Sequence, residues 1–160
     1  MSKISIIMGS ASDLETVSVA IHTLKEFKTG FEVKVLSAHR TPKELAAYVE
    51  EAPRRGVKVF IAAAGGAAAL AGVISSFTTL PVIGIPIETK TLKGLDSLLS
   101  TVQMPGGVPV ASMAIGKAGA KNAALFALAI LSISDPRIQK ALAQYRQGMK
   151  VKIKKIKLKF

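Results

Sequence analysis

The feature that most constrains this chain is a repeated change of period in its apolar residues: short runs rich in Val and Ile alternate with longer segments patterned as helices. The pattern predicts strands at Ile4–Met8, Phe31–Leu36, Val57–Ala63, Pro81–Ile85 and Val108–Ala114. It predicts helices over Asp13–Phe27, Pro42–Glu51, Ala67–Phe77, Leu95–Val102 and Lys121–Ile133, with a last one from Pro136 onward. Strand, helix, strand in this order implies right-handed crossovers and a parallel sheet covered on both faces. The chain of 160 residues therefore reads as one three-layer α/β domain, with residues 134–160 as a C-terminal helix and basic tail.

Two helix starts carry capping-box wording, Ser12-Asp13-Leu14-Glu15 and Thr41-Pro42-Lys43-Glu44, the second with proline at the favoured first position. Both follow strands almost at once. In an open parallel sheet, ligands sit beyond the carboxyl ends of the strands, where strand order reverses. "GSASD", "SAHRTP" and the pair Gly65-Gly66 in "AAAGGAAAL" are therefore expected to line one crevice. Gly9-Ser10 offers amides, a hydroxyl and a helix terminus suited to a phosphate, with a plain structural turn as an equal alternative. Asp13 would repel an anion but accept hydrogen bonds from ribose hydroxyls, which points to a nucleotide-like ligand. Arg40 can fork onto a phosphate or carboxylate, and His39 is a candidate acid/base, or else a capping or hydrogen-bonded structural residue. His22 has no such neighbours and reads as an ordinary helix-surface residue.

Composition narrows the classes further. Absence of cysteine removes disulfides and thiolate chemistry, and two histidines make a His-rich metal site a poor expectation. The net charge of +12 suggests nucleic acid, but "KVKIKKIKLKF" carries six of those charges. That tail lacks interleaved aromatics for base stacking, and Met149, Ile153, Ile156 and Phe160 fall at helical spacing. A solvated, partly packed helix end is the first reading; polyanion contact and membrane-surface binding are the others. No run reaches the roughly 18 apolar residues of a membrane span and no signal-peptide pattern opens the chain, so a cytoplasmic location is expected, with neither nucleic acid nor membrane as partner. A hydrophobic fraction of 49% leaves apolar surface to hide by self-association, and the almost uniformly apolar "KNAALFALAILSI" is expected at a subunit interface.

The ordered motifs "MGSASD", "SAHRTP", "AAGGAAALAG", "GLDSLLSTVQMPGGVPV" and "IGKAGAKNAAL" resemble those of the PurE family of purine biosynthesis, from residue 4 to about 148. The resemblance implies a flavodoxin-like or Rossmann-like subunit assembled as a homo-octamer. It implies a mutase that converts N5-carboxyaminoimidazole ribonucleotide to 4-carboxy-5-aminoimidazole ribonucleotide without metal, ATP or organic cofactor. Carried over by motif, Ser10, Asp13 and Arg40 correspond to substrate-binding residues and His39 to the catalytic acid/base; Ser12, Ser37, Gly65 and Gly66 are expected to line the same pocket.

One segment departs from the resemblance. Where the mutases typically read Gly-Gly-Ala-Ala-His-Leu-Pro-Gly, this chain has Ala69 for the histidine and Ala71 for the proline. Small apolar walls from Ala67–Ala71 and the Met104–Gly107 loop would then have to hold released CO2. Two other readings stay open: a 5-aminoimidazole ribonucleotide carboxylase that takes free CO2, and a non-catalytic nucleotide- or polyanion-binding relative.

Overall fold

The computed structural model describes residues 3–158, so Phe160, and with it the last member of the proposed apolar stripe in the tail, lies outside the described residues. Five strands, β1 (Ile4–Met8), β2 (Phe31–Val35), β3 (Val59–Ala64), β4 (Val82–Pro86) and β5 (Ala111–Ser112), form one parallel sheet in the order β2-β1-β3-β4-β5. Six helices connect and cover them: α1 (Leu14–Glu26), α2 (Pro42–Glu51), α3 (Leu70–Ser76), α4 (Leu95–Val102), α5 (Gly116–Ser132) and α6 (Pro136–Lys154). This is the flavodoxin-like order, and the direction of winding reverses between β1 and β3.

Strands β1 and β4 are buried at every residue and β3 at all but its last, because both sheet faces are covered. Alternate side chains supply two cores. Ile4, Ile6, Met8, Ile61 and Ile83 pack with α1, α5 and the start of α6. Ile7, Phe60, Ala62 and Val82 pack with Leu45 and Val49 of α2 and Leu70 and Ile74 of α3. Each such fully buried large side chain contributes about 1.5–3 kcal/mol.

Several boundaries differ from expectation for identifiable reasons. The fifth strand shrinks to Ala111–Ser112, since the expected run contains Pro109, which cannot donate to a ladder. Helix α5 begins at Gly116 rather than Lys121 because Gly119 lies against the Ala114 carbonyl, where a Cβ would collide. Helix α3 begins at Leu70, three residues later than expected, after Gly66 turns the chain at φ +69°. Neither capping box forms as expected. The turn Ala11–Asp13 precedes α1 and is capped by Ser10, with Asp13 closing the box; Thr41 Oγ1 instead bonds Ser37, donating to its carbonyl at 3.1 Å and accepting its amide at 2.9 Å. Pro42 does open α2.

The apolarity of α5 has a source within the chain: Ala120, Ala123, Ala124, Ala127, Leu128 and Leu131 are core residues packed on the sheet and α1. Phe126 remains 43% exposed on its other side. In the tail, Met149 and Ile153 share α6 with Lys150, Lys152 and Lys154, while Ile156 lies past the helix end, and all are exposed. Among the described residues no helix is long and apolar enough to cross a membrane.

Candidate active site

Four loops at the carboxyl ends of β1, β2, β3 and β4 line an open cleft of about 450 Å3 astride the reversal of strand order. Ser10, Ser12 and Asp13 enter from the loop after β1, Ser37, His39 and Arg40 from the loop after β2, and Gly65 from the loop after β3. Of the eight residues carried over by motif, Gly66 alone does not line the cavity. Its amide donates to Ser97 Oγ at 3.0 Å, so its place is in the support behind the wall.

The β1 loop is bonded to β3 and within itself. Gly9 donates its amide to the Ala63 carbonyl at 3.1 Å, Ser10 to Asp13 Oδ2 at 3.2 Å, and Ser12 to Ser10 Oγ at 3.3 Å. These three amides bond within the protein, while the hydroxyls of Ser10 and Ser12 line the cavity. Arg40 is the one permanently cationic side chain lining the cavity among the described residues. Arg40 is oriented from two sides: Nη2 donates to the Gly9 carbonyl at 2.8 Å and Nε to Ser37 Oγ at 3.3 Å, leaving its remaining donors for a ligand.

Asp13 is buried, and burial raises its carboxyl pKa above the ordinary value; the Ser10 amide, the Ser12 hydroxyl and Arg40 pull the other way without cancelling the rise. A carboxylate so held can accept sugar hydroxyls in the arrangement that a ribose offers. His39 is exposed and lines the cavity next to Arg40 in the chain. His22 bonds the Ser18 carbonyl at 2.7 Å on the surface of α1, outside the cavity.

Three lining residues went unflagged in the sequence: Ile87, Glu88 and Thr89, directly after β4. The strand-end rule that found the other loops applies equally to "IPIETK", but no glycine or histidine drew attention to it. Ala68, Ala69 and Leu70 form the small apolar wall; Ala67, Ala71 and the Met104–Gly107 loop do not line the cavity. Ala71 is buried in the α3 core, and Met104 lies over Gly72, where a Cβ would stand 3.2 Å from its sulfur.

The comparisons with known proteins agree with this architecture. The family model described as AIR carboxylase matches residues 3–152. An N5-carboxyaminoimidazole ribonucleotide mutase of Pyrococcus abyssi is 55% identical over 150 residues, 94% of this chain and 85% of that protein. The mutase of the same name from Bacillus subtilis is 54% identical over 147 residues, 92% of this chain and 91% of that one. The crystal structure of Treponema denticola PurE superposes with a TM-score of 0.85 at 28% identity, covering 94% of this chain and 92% of that one. With a parallel sheet of matching order and a cavity built from the motif-bearing loops, the chain belongs to the AIR carboxylase (PurE) family.

Proposed function

We propose that the cavity binds N5-carboxyaminoimidazole ribonucleotide and that His39 moves the two protons by which its carboxylate migrates from the exocyclic nitrogen to C4. The chain is an isomerase of purine biosynthesis, a mutase. The observation that carries the assignment of roles is the convergence of one exposed imidazole, an oriented guanidinium and a hydroxyl-bonded carboxylate on one cavity.

The steps balance with a single acid/base. Protonation of the carbamate nitrogen by His39 breaks the N–C bond and releases CO2, the electron pair staying on nitrogen. The aminoimidazole, now enamine-like, attacks CO2 from C4 and forms the C–C bond. The imidazole then takes the C4 proton, restoring the ring's aromaticity and its own starting state. No proton is consumed overall, so one side chain can serve as both acid and base. Arg40 and the hydroxyls of Ser10, Ser12 and Ser37 hold the substrate's anionic groups, and Asp13 accepts from the ribose. The steps call for no metal, ATP or organic cofactor.

Direct carboxylation with dissolved CO2 is not favoured, since the relatives at 50% identity and above carry the mutase name. The same reading takes the protein to work in the cytoplasm as a homo-octamer. It is supported by Leu95, Leu99 and Val102, which lie along one face of α4 and are 51%, 50% and 48% exposed, as an unpartnered contact surface would be. The test is turnover of substrate with a labelled carboxylate in unlabelled bicarbonate, without ATP or metal. Label retained at C4 under initial-rate conditions supports the mutase; dilution to the bicarbonate level, with comparable use of aminoimidazole ribonucleotide and CO2, overturns it.

A further inference from the structure

Two of the walls of the cavity are tied together by a helix that lines none of it. The wall after β3 runs from Gly65 to Leu70 and the wall after β4 from Ile87 to Thr89; they touch where a Cβ on Gly65 would stand 3.4 Å from Ile87 Cβ. Behind that contact lies the first turn of α4. Ser97, fully buried, donates its hydroxyl to the Ile87 carbonyl at 2.7 Å and accepts the Gly66 amide at 3.0 Å, so one oxygen holds both walls. Its neighbours repeat the tie on each side. Ser100 Oγ donates to the Asp96 carbonyl at 2.8 Å and lies 3.3 Å from the Gly66 carbonyl, and Thr89 Oγ1 donates to Asp96 Oδ1 at 2.8 Å while accepting the Gly94 amide at 3.1 Å.

A serine inside a helix is neutral to unfavourable by propensity, because its hydroxyl competes for backbone groups. Here the hydroxyl reaches backbone groups of two other segments. Gly66 at φ +69° is the residue whose turn it fixes. Without Ser97 Oγ, an amide and a carbonyl facing a fully buried position would lose their partner, and the two loops would shift to find another.

We propose that Ser97 is a positioning residue that sets the gap between these walls and thereby confines CO2 between its release and its recapture; this rests on the mutase reading above. CO2 is neutral and donates no hydrogen bond, so a site retains it chiefly by leaving no exit. Of the cavity-lining residues on these walls, Ala68, Ala69, Leu70 and Ile87 are small or apolar side chains that give shape and little else, and Glu88 and Thr89 are the polar ones. Their spacing then decides whether CO2 meets C4 or leaves.

The experiment follows labelled N5-carboxyaminoimidazole ribonucleotide in unlabelled bicarbonate and records three quantities: label at C4 per turnover, free aminoimidazole ribonucleotide, and kcat and KM separately. Ser97→Ala is expected to cut label retention at least twofold and to release aminoimidazole ribonucleotide, with kcat falling more than KM rises. Ser97→Thr, which keeps the hydroxyl, is expected to recover part of the retention. Ser100→Ala, a substitution at an exposed hydroxyl that leaves folding intact, is expected to show a smaller loss in the same direction. Wild-type retention in folded Ser97→Ala, whatever its rate, overturns the proposal, as does wild-type retention in Ser100→Ala if Ser97→Ala fails to fold. Dilution of label by the unaltered protein overturns the mutase reading instead, so the two failures are distinguishable.

Discussion

Arg40 Nη2 donates to the Gly9 carbonyl at 2.8 Å, joining the loop after β2 to the loop after β1, its neighbour in the sheet. The bond orients the guanidinium before any ligand arrives, and Ser37 Oγ holds the same side chain at Nε. Preorganisation of this kind lowers the ordering cost of binding rather than the barrier of the bound reaction.

Arg40→Ala should therefore raise KM by about tenfold or more, the loss of one charge-assisted contact of about 1.5–3 kcal/mol, with a smaller fall in kcat. Arg40→Lys should recover little, since one ammonium cannot reach the Gly9 carbonyl, Ser37 and an anion with a fork's geometry. Steady-state kinetics decide it; a fall confined to kcat contradicts a binding role.

His39→Asn should lower kcat at least about a hundredfold, the lower end for general acid–base catalysis, and leave the melting temperature nearly unchanged because the side chain is exposed. The amide keeps much of the shape and none of the proton transfer. Near-normal turnover in this variant would remove His39 from the mechanism.

How much of this was legible beforehand depends on what each residue competes with. Strands β1, β3 and β4 announce themselves because burial on both faces demands unbroken apolar runs, and the site loops follow from where those runs end. The caps did not follow: Ser12 and Thr41 have the right side chains, but Ser10 and Ser37 lie close enough to take their hydrogen bonds. The support behind the cavity was also hidden. Ser97 and Thr89 belong to no motif with chemistry of its own, and their partners Gly66, Ile87 and Asp96 come together only when α4 packs behind the β3 and β4 loops.

Asp13→Asn should stabilise the fold while impairing it as an enzyme. Burial raises the Asp13 pKa, so the folded chain holds that proton more tightly than the unfolded one. Stability from this group accordingly increases as pH falls through the window between the raised and ordinary values, and is lost as pH rises through it. At neutral pH the variant should therefore melt higher than the wild type. The difference should narrow below the ordinary carboxylate range, and KM should rise through loss of the ribose acceptor. An unchanged difference across pH would show that the buried charge carries no folding cost.

Asp135 behaves oppositely. Hydrogen bonds from the side chains of Arg137 and Lys3 hold its carboxyl far below the ordinary range, and it also caps α6 by accepting the Arg137 amide. Its stabilising contribution is present above the unfolded pKa and declines as pH falls through and below that value. At neutral pH the order of melting temperatures should be wild type, then Asp135→Asn, which keeps the cap, then Asp135→Ala, which loses both. Thermal melts down to acid pH should show the first gap closing; a constant gap would assign the effect to the cap alone.

Ala69 poses the last test, because it lines the cavity at the point where the family's mutases carry a histidine. It sits just before α3 with its carbonyl accepting the Val73 amide at 2.9 Å, and it lines the cavity beside Ala68 and Leu70. An imidazole placed there adds bulk to the cavity itself rather than to the core. The residue that would reshape the turn for it, proline at 71, is also replaced here by alanine, 3% exposed and packed in the α3 core. Ala69→His should therefore lower kcat/KM severalfold, with KM carrying most of the change, as an overpacked site predicts. Adding Ala71→Pro should relieve part of that loss, since a proline in the first helical turn removes only an orphan amide. Kinetics of the single and double variants under one set of conditions decide between the two histories of this wall. A rise in kcat on Ala69→His alone would mean that the native cavity is a weakened form of the family's site, whereas a fall that the second substitution partly reverses would mean that the wall has been rebuilt around small side chains.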